Sequence, residues 1–259
     1  MKTNEYIKKI TYTGLMTALI LLSTMSLKVP VPFTNGYIHL GDSMIFIAAI
    51  LLGSICGAFA AGVGSALADI LLGFPHWAIP TLIIKAIMAA IVGICVSHKN
   101  SKKIYIYLSL IFAGGFTAFN IILRNILSNK IPLDNQLKVN SLLKDLEFDS
   151  VSQLIERTNK VQTQLLIITI LVPLLILVLS LLIAKLNNVK FKPSYTFGFV
   201  ISGTFMVFGY YIAAYIIYGS YIIPIFSIPW NVVQFVLGLI IAELILVGLD
   251  KSKFINNIR

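Results

Sequence analysis

The sequence predicts an all-α fold: a polytopic transmembrane helical bundle of about six core helices, with an inserted helical hairpin and an external amphipathic loop. Three observations carry this expectation. Of 259 residues, 58% are hydrophobic and only 12% are charged, where a soluble domain has about 25% charged residues. The apolar residues gather in long runs, and lipid-embedded runs are helical because their backbone groups need internal partners. The lysines sit at the edges of those runs, as membrane topology demands. The formal net charge of +10 is therefore read as a topology signal, with no nucleic acid implied. Residues 1–259 form a single membrane-embedded domain.

The apolar runs, taken in order, cover about 10–28, 42–53, 56–73, 80–97, 104–124, 163–184, 196–218 and 229–249. The first has a basic start and no small-x-small cleavage site, so it reads as a retained helix. The run 42–53 is shorter than the roughly 20 residues that cross a bilayer. It must be tilted, half-buried or extended by Ile38–Gly41. Residues 56–73 follow it directly, and a short loop, Phe74–Pro80, leads into 80–97. The core helices thus lie in 10–98 and 196–250, and the inserted hairpin in about 104–190. Its external loop, 125–162, spaces Leu137, Leu142, Leu143 and Leu146, then Val151, Leu154 and Ile155, at helical intervals. One or two amphipathic helices are expected there, and a solvated connector is favoured over helices that lie on the membrane surface or fold over the bundle mouth.

Placing both termini in the cytoplasm puts twelve of the twenty basic residues inside, in four clusters that begin at Lys2, Lys99, Lys185 and Lys251. Five of the seven in outer loops lie within the one long loop, which counts little in the rule. A multi-pass protein of a bacterial plasma membrane is the expectation.

Topology converts positions into depths at 1.5 Å per helical residue. Asp69 then lies about 6 Å below the outer surface and Lys85 about 7 Å. Either charge alone in hydrocarbon is unfavourable, so the two are expected to pair. Asp42 opens its segment near the same level, where Asn35, Tyr37, His39, His76 and Trp77 also gather. Tyr211, Tyr215 and Tyr218 share a helix face at i, i+4, i+7, and Trp230, Asn231 and Gln234 open the last segment from the same side. Aromatic walls with a few amides and charges suit a small, flat, polar ligand. The inner half holds small residues, Gly14 and Ala18 among them, that let helices approach closely. Its one acid is Glu243.

Each feature also has a plainer reading. Asp69 with Lys85 is either a structural pair or a ligand contact, and Asp42 is either a helix cap or a contact. His39 and His76 lack a third ligand at metal spacing. Trp77, Trp230 and the tyrosines also fit an interfacial belt. Asn231 and Gln234 fit the pocket or a helix–helix bond. Cys56 and Cys95 lie in apolar runs with no partner spacing, so neither disulfide nor metal follows. There is no phosphate-binding GxxxxGK[ST] loop and no HExxH motif. No inverted repeat supports the alternative of a self-sufficient secondary transporter working through Asp42, Asp69 and Glu243.

Several runs resemble a known family: FTNGYIHLGDSMIF, then GVGSALAD at 62–69, PHW, PTLIIK and IPWNVVQ. They resemble the substrate-binding S component of energy-coupling factor (ECF) vitamin transporters, closest to the branch for pyridoxine-type and thiamine-precursor ligands. The resemblance implies a non-enzymatic capture subunit that binds a B-vitamin-like molecule from outside. It implies docking on a transmembrane T component with two ATPase subunits, which use the ATP; no cofactor is implied for this chain. Family members dock through Ala-xxx-Ala on the first helix, and Gly14-xxx-Ala18 stands there. The segment 104–195 departs from the usual six helices.

Overall fold

The computed structural model describes residues 2–31, 36–97, 102–129, 136–146, 148–185 and 193–251. Helix α1 (Lys2–Ser26) leads into a two-stranded antiparallel hairpin, β1 (Val29–Val31) and β2 (Gly36–Ile38). Then come α2 (Gly41–Leu71), α3 (Pro75–Ser97), α4 (Lys102–Asn129), α5 (Gln136–Asp145), α6 (Val151–Lys185) and α7 (Pro193–Tyr218). A short 3-10 turn (Ile223–Ser227) precedes α8 (Ile228–Lys251). Among the described residues, six helices are long and apolar enough to cross a membrane: α2, α3, α4, α6, α7 and α8. Ile55 and Ile79 are 83% and 74% exposed. Such apolar faces suit a chain whose surroundings are lipid.

Helix α2 is two helices folded against each other. Gly53 has φ 77° and ψ −175°, a region essentially restricted to glycine. A Cβ on Gly57 would sit 2.9 Å from Ala49 Cα, although eight residues of straight helix span about 12 Å. The chain therefore reverses at Gly53, as the separate runs 42–53 and 56–73 imply. This reversal returns Asp69 to the end where Asp42 began. The first half starts at Gly41 and is almost wholly buried from there to Ile50. That burial lets so short a segment sit inside the bundle.

Several boundaries differ from the sequence expectation. Helix α3 begins at Pro75, so most of the anticipated loop Phe74–Pro80 is helical. Proline suits the first turn, where its missing N–H has no partner to lose. Residues 29–31 and 36–38, outside the apolar runs, pair as the two short strands. The anticipated external loop 125–162 shortens, because α4 runs to Asn129 and α6 starts at Val151. Part of its apolar face is covered: Leu142, Leu146 and Leu154 are buried and Phe148 meets Phe226 at 6.3 Å, while Val151 and Ile155 stay exposed. That segment packs onto the bundle, and hydrophobic burial is the driving force.

Candidate functional site

A polar hollow lies where β2, both ends of α2, α3, α7 and α8 meet. Beneath it, Lys85 is fully buried and its Nζ stands 2.5 Å from Asp42 Oδ1. The other carboxylate oxygen accepts from Gln234 Nε2 at 2.9 Å. Lys85 also donates to Met206 Sδ at 3.1 Å and lies 5.3 Å from the Tyr210 ring centre. The ion pair thus joins α2, α3, α7 and α8. A Cβ on Gly238 would come within 2.8 Å of Asp42 Cβ; α8 reaches the start of α2 because residue 238 carries no side chain.

The expected Asp69–Lys85 pair is therefore replaced by Asp42–Lys85. Both acids reach the same level once α2 reverses, and depth alone does not choose between them. Asp69 instead accepts from the Tyr37 hydroxyl at 2.7 Å. Burial, then the neighbouring Asp69 charge, pushes the Tyr37 phenol far up, so it stays protonated and donates. Asp69 Oδ2 and Trp77 Nε1 are buried without a hydrogen-bond partner among the described residues. Thr81 and Tyr218 lie nearby but make no bond of proper geometry to those two atoms.

The hollow is lined by Val31, Gly36, Tyr37, His39, Asp69, Trp77, Thr81, Tyr210, Ser227, Asn231 and Gln234. It spans about 480 Å³ including its open mouth. Trp77 and Tyr210 meet edge to face at 5.8 Å. Thr81 Oγ1 and the Tyr210 hydroxyl are 3.2 Å apart. His39 is buried and its Nδ1 accepts the Gly41 N–H at 3.0 Å. Burial, then the Lys85 charge, pushes the imidazole down to about 4, so it is neutral at physiological pH. Free acceptors, a free indole N–H and ring faces equip the hollow to hold a small polar ligand, with no nucleophile poised for chemistry.

Of the residues anticipated from sequence, Tyr37, His39, Asp69, Trp77, Asn231 and Gln234 line this hollow. Asp42 and Lys85 lie under it. Asn35 lies outside the described residues. His76 is exposed at the rim, 5.9 Å from Trp77. Tyr211 packs edge-on against Phe119 and donates to the Tyr221 carbonyl, while Tyr215 and Trp230 are 48% and 36% exposed; none of these three lines the hollow. Their helix faces point away, and the lining position on α7 is Tyr210. Thr81, Tyr210 and Ser227 went unanticipated. Trp77, Thr81 and Lys85 recur at i, i+4, i+8, and Ser227, Asn231 and Gln234 at i, i+4, i+7, which is the signal that finds two of them. Gly14 and Ala18 are exposed on α1. At the far end of the bundle, buried Thr196 donates to Glu243. Among the described residues no three His, Cys, Asp or Glu cluster as metal ligands.

The family model described as "ECF-type riboflavin transporter, S component" matches residues 4–186, well over half of the chain. The chain belongs to this family of S components. Members of this family are membrane components of transporters, and the six long apolar helices among the described residues suit a multi-pass membrane protein. The matched span runs through α4, α5 and α6 and stops before α7 and α8. An uncharacterized protein of Pyrococcus woesei is 49% identical over 72 residues, 28% of this chain and 48% of that protein. A UPF0397 protein of Streptococcus agalactiae serotype Ia is 29% identical over 123 residues, 47% of this chain and 63% of that protein. The chain thus spans about half to three-fifths of these curated relatives. No solved structure matches the chain.

Proposed function

We propose that this S component captures a small water-soluble vitamin or precursor in the hollow beneath the β1–β2 hairpin. The hollow faces outward and both termini lie in the cytoplasm. A transmembrane T component with two ATPase subunits then drives uptake. The observation that carries the reading is a pair of buried, unpartnered atoms, Asp69 Oδ2 and Trp77 Nε1, on two residues that line one hollow. Buried polar groups are otherwise almost always satisfied, and a ligand with one donor and one acceptor satisfies both. Asn231, which also lines the hollow, adds an amide. Family membership supports a vitamin-like substrate, and the family's description names riboflavin.

The exposed Gly14 and Ala18 on α1 suit the docking face for the T component, since small residues permit close helix approach. The test is calorimetry on the purified chain without ATP, against pyridoxine, thiamine, its pyrimidine precursor and riboflavin. One ligand is expected to bind strongly, and Asn231→Ala is expected to weaken it at least tenfold while the protein stays folded. Silence across a broad vitamin panel refutes the reading, and unchanged affinity in Asn231→Ala removes that residue from the site. Uptake that persists without partner subunits and follows a proton gradient instead supports a secondary transporter.

A further inference from the structure

Asp69 is the acid that lines the hollow. It is 4% exposed, Oδ1 is taken by the Tyr37 hydroxyl, and Oδ2 has no partner. The deep cation, Lys85, is already held by Asp42 at 2.5 Å, and that acid is further bonded by Gln234. His39 uses Nδ1 to accept a backbone N–H, which is the uncharged form. Lys28 stands over the Phe74 ring at 4.4 Å and His76 lies at the rim, both exposed, where solvent and salt screen their charge. The ion pair below is neutral, so an ionised Asp69 gives the hollow one net negative charge.

A buried carboxylate without a counter-charge is unfavourable and draws a cation or a proton. Here three aromatic side chains, Tyr37, Trp77 and Tyr210, line the same space. Ring faces attract organic cations, most strongly where water is excluded. We propose that this site selects a small organic cation, a nitrogen heterocycle or amine with one positive charge, seated between Asp69 Oδ2 and the Trp77 and Tyr210 rings. This rests on the capture reading and narrows it. It disfavours neutral fused-ring ligands and anions, including phosphorylated vitamins.

The experiment is calorimetry on the full chain at pH 7.5 with probes of different charge: thiamine and its aminomethyl-pyrimidine precursor as cations, riboflavin as a neutral, pantothenate as an anion. A cation is expected to bind at least a hundredfold more tightly than riboflavin or pantothenate. Asp69→Asn keeps the shape and is expected to lose at least a hundredfold in cation affinity. Tighter binding of riboflavin or pantothenate overturns the charge assignment and leaves the capture reading standing. No binding anywhere overturns both. Full cation affinity in Asp69→Asn also overturns the assignment, and if that variant does not fold, the wild-type ranking by charge decides.

Discussion

Replacing Lys85 with methionine keeps much of the side-chain volume and removes the cation from under the hollow. Lys85 Nζ and Asp42 Oδ1 are 2.5 Å apart and both side chains are fully buried. At an effective dielectric constant of about 20, that separation corresponds to about 6–7 kcal/mol of attraction, much of it offset by desolvation of both charges. Removing one partner leaves the other charge buried, which typically costs about 3–5 kcal/mol. Asp42 keeps only the Gln234 amide bond, so the full range applies. At about 2–4 °C per kcal/mol for a chain of this size, the melting temperature in detergent is expected to fall by about 6–20 °C. The double variant Asp42→Asn with Lys85→Met removes both charges and is expected to recover more than half of that loss. A fall under 2 °C in the single variant, or a double variant less stable than the single, refutes the reasoning.

Gly53→Ala puts a side chain at φ 77° and is expected to lower stability by about 1–3 kcal/mol; an unchanged melting temperature shows that the reversal does not need glycine. His39 titrates near 4 when folded against 6.5 ordinarily, so between those values the unfolded chain binds more protons and stability falls as pH falls. The loss from pH 7.5 to pH 5 is expected to be about 2 kcal/mol, and His39→Gln is expected to shrink that slope; identical pH profiles contradict the assignment. At Gly14 a new side chain meets nothing within 4 Å. Gly14→Leu is therefore expected to leave ligand binding unchanged and to cut uptake by the complete transporter at least tenfold, and normal uptake rules out α1 as the docking face.

Much of the fold was legible because lipid imposes a simple code. Apolar runs and their basic edges located the spanning helices, and the short run 42–53 signalled that something unusual happened at Gly53. The paired strands β1 and β2 left no trace, since strands of three residues are too short for an alternating pattern. Depth placed Asp42, Asp69 and Lys85 at one level but carried no information about rotation around the bundle axis. That is why Asp69 was paired with Lys85 although Asp42 holds it. The same gap explains α7: Tyr211, Tyr215 and Tyr218 share a face, but Tyr210, one residue and about 100° away, turns to the hollow. On α8 the pairing of Asn231 with Gln234 was readable because three residues apart means one face. The burial of Leu142, Leu146 and Leu154 was hidden because an amphipathic helix shows the same pattern against a membrane surface, a solvent-facing loop or a bundle.

The central claim is that ligand enters the hollow beside Trp77. The chain has two tryptophans, and Trp230 is 36% exposed outside the hollow. In a Trp230→Phe variant, the remaining emission reports on Trp77 alone. Titrating the ligand that calorimetry identifies is predicted to change that emission saturably, with the same dissociation constant as the heat signal. Calorimetric binding with no change in Trp77 emission places the ligand elsewhere and contradicts the account.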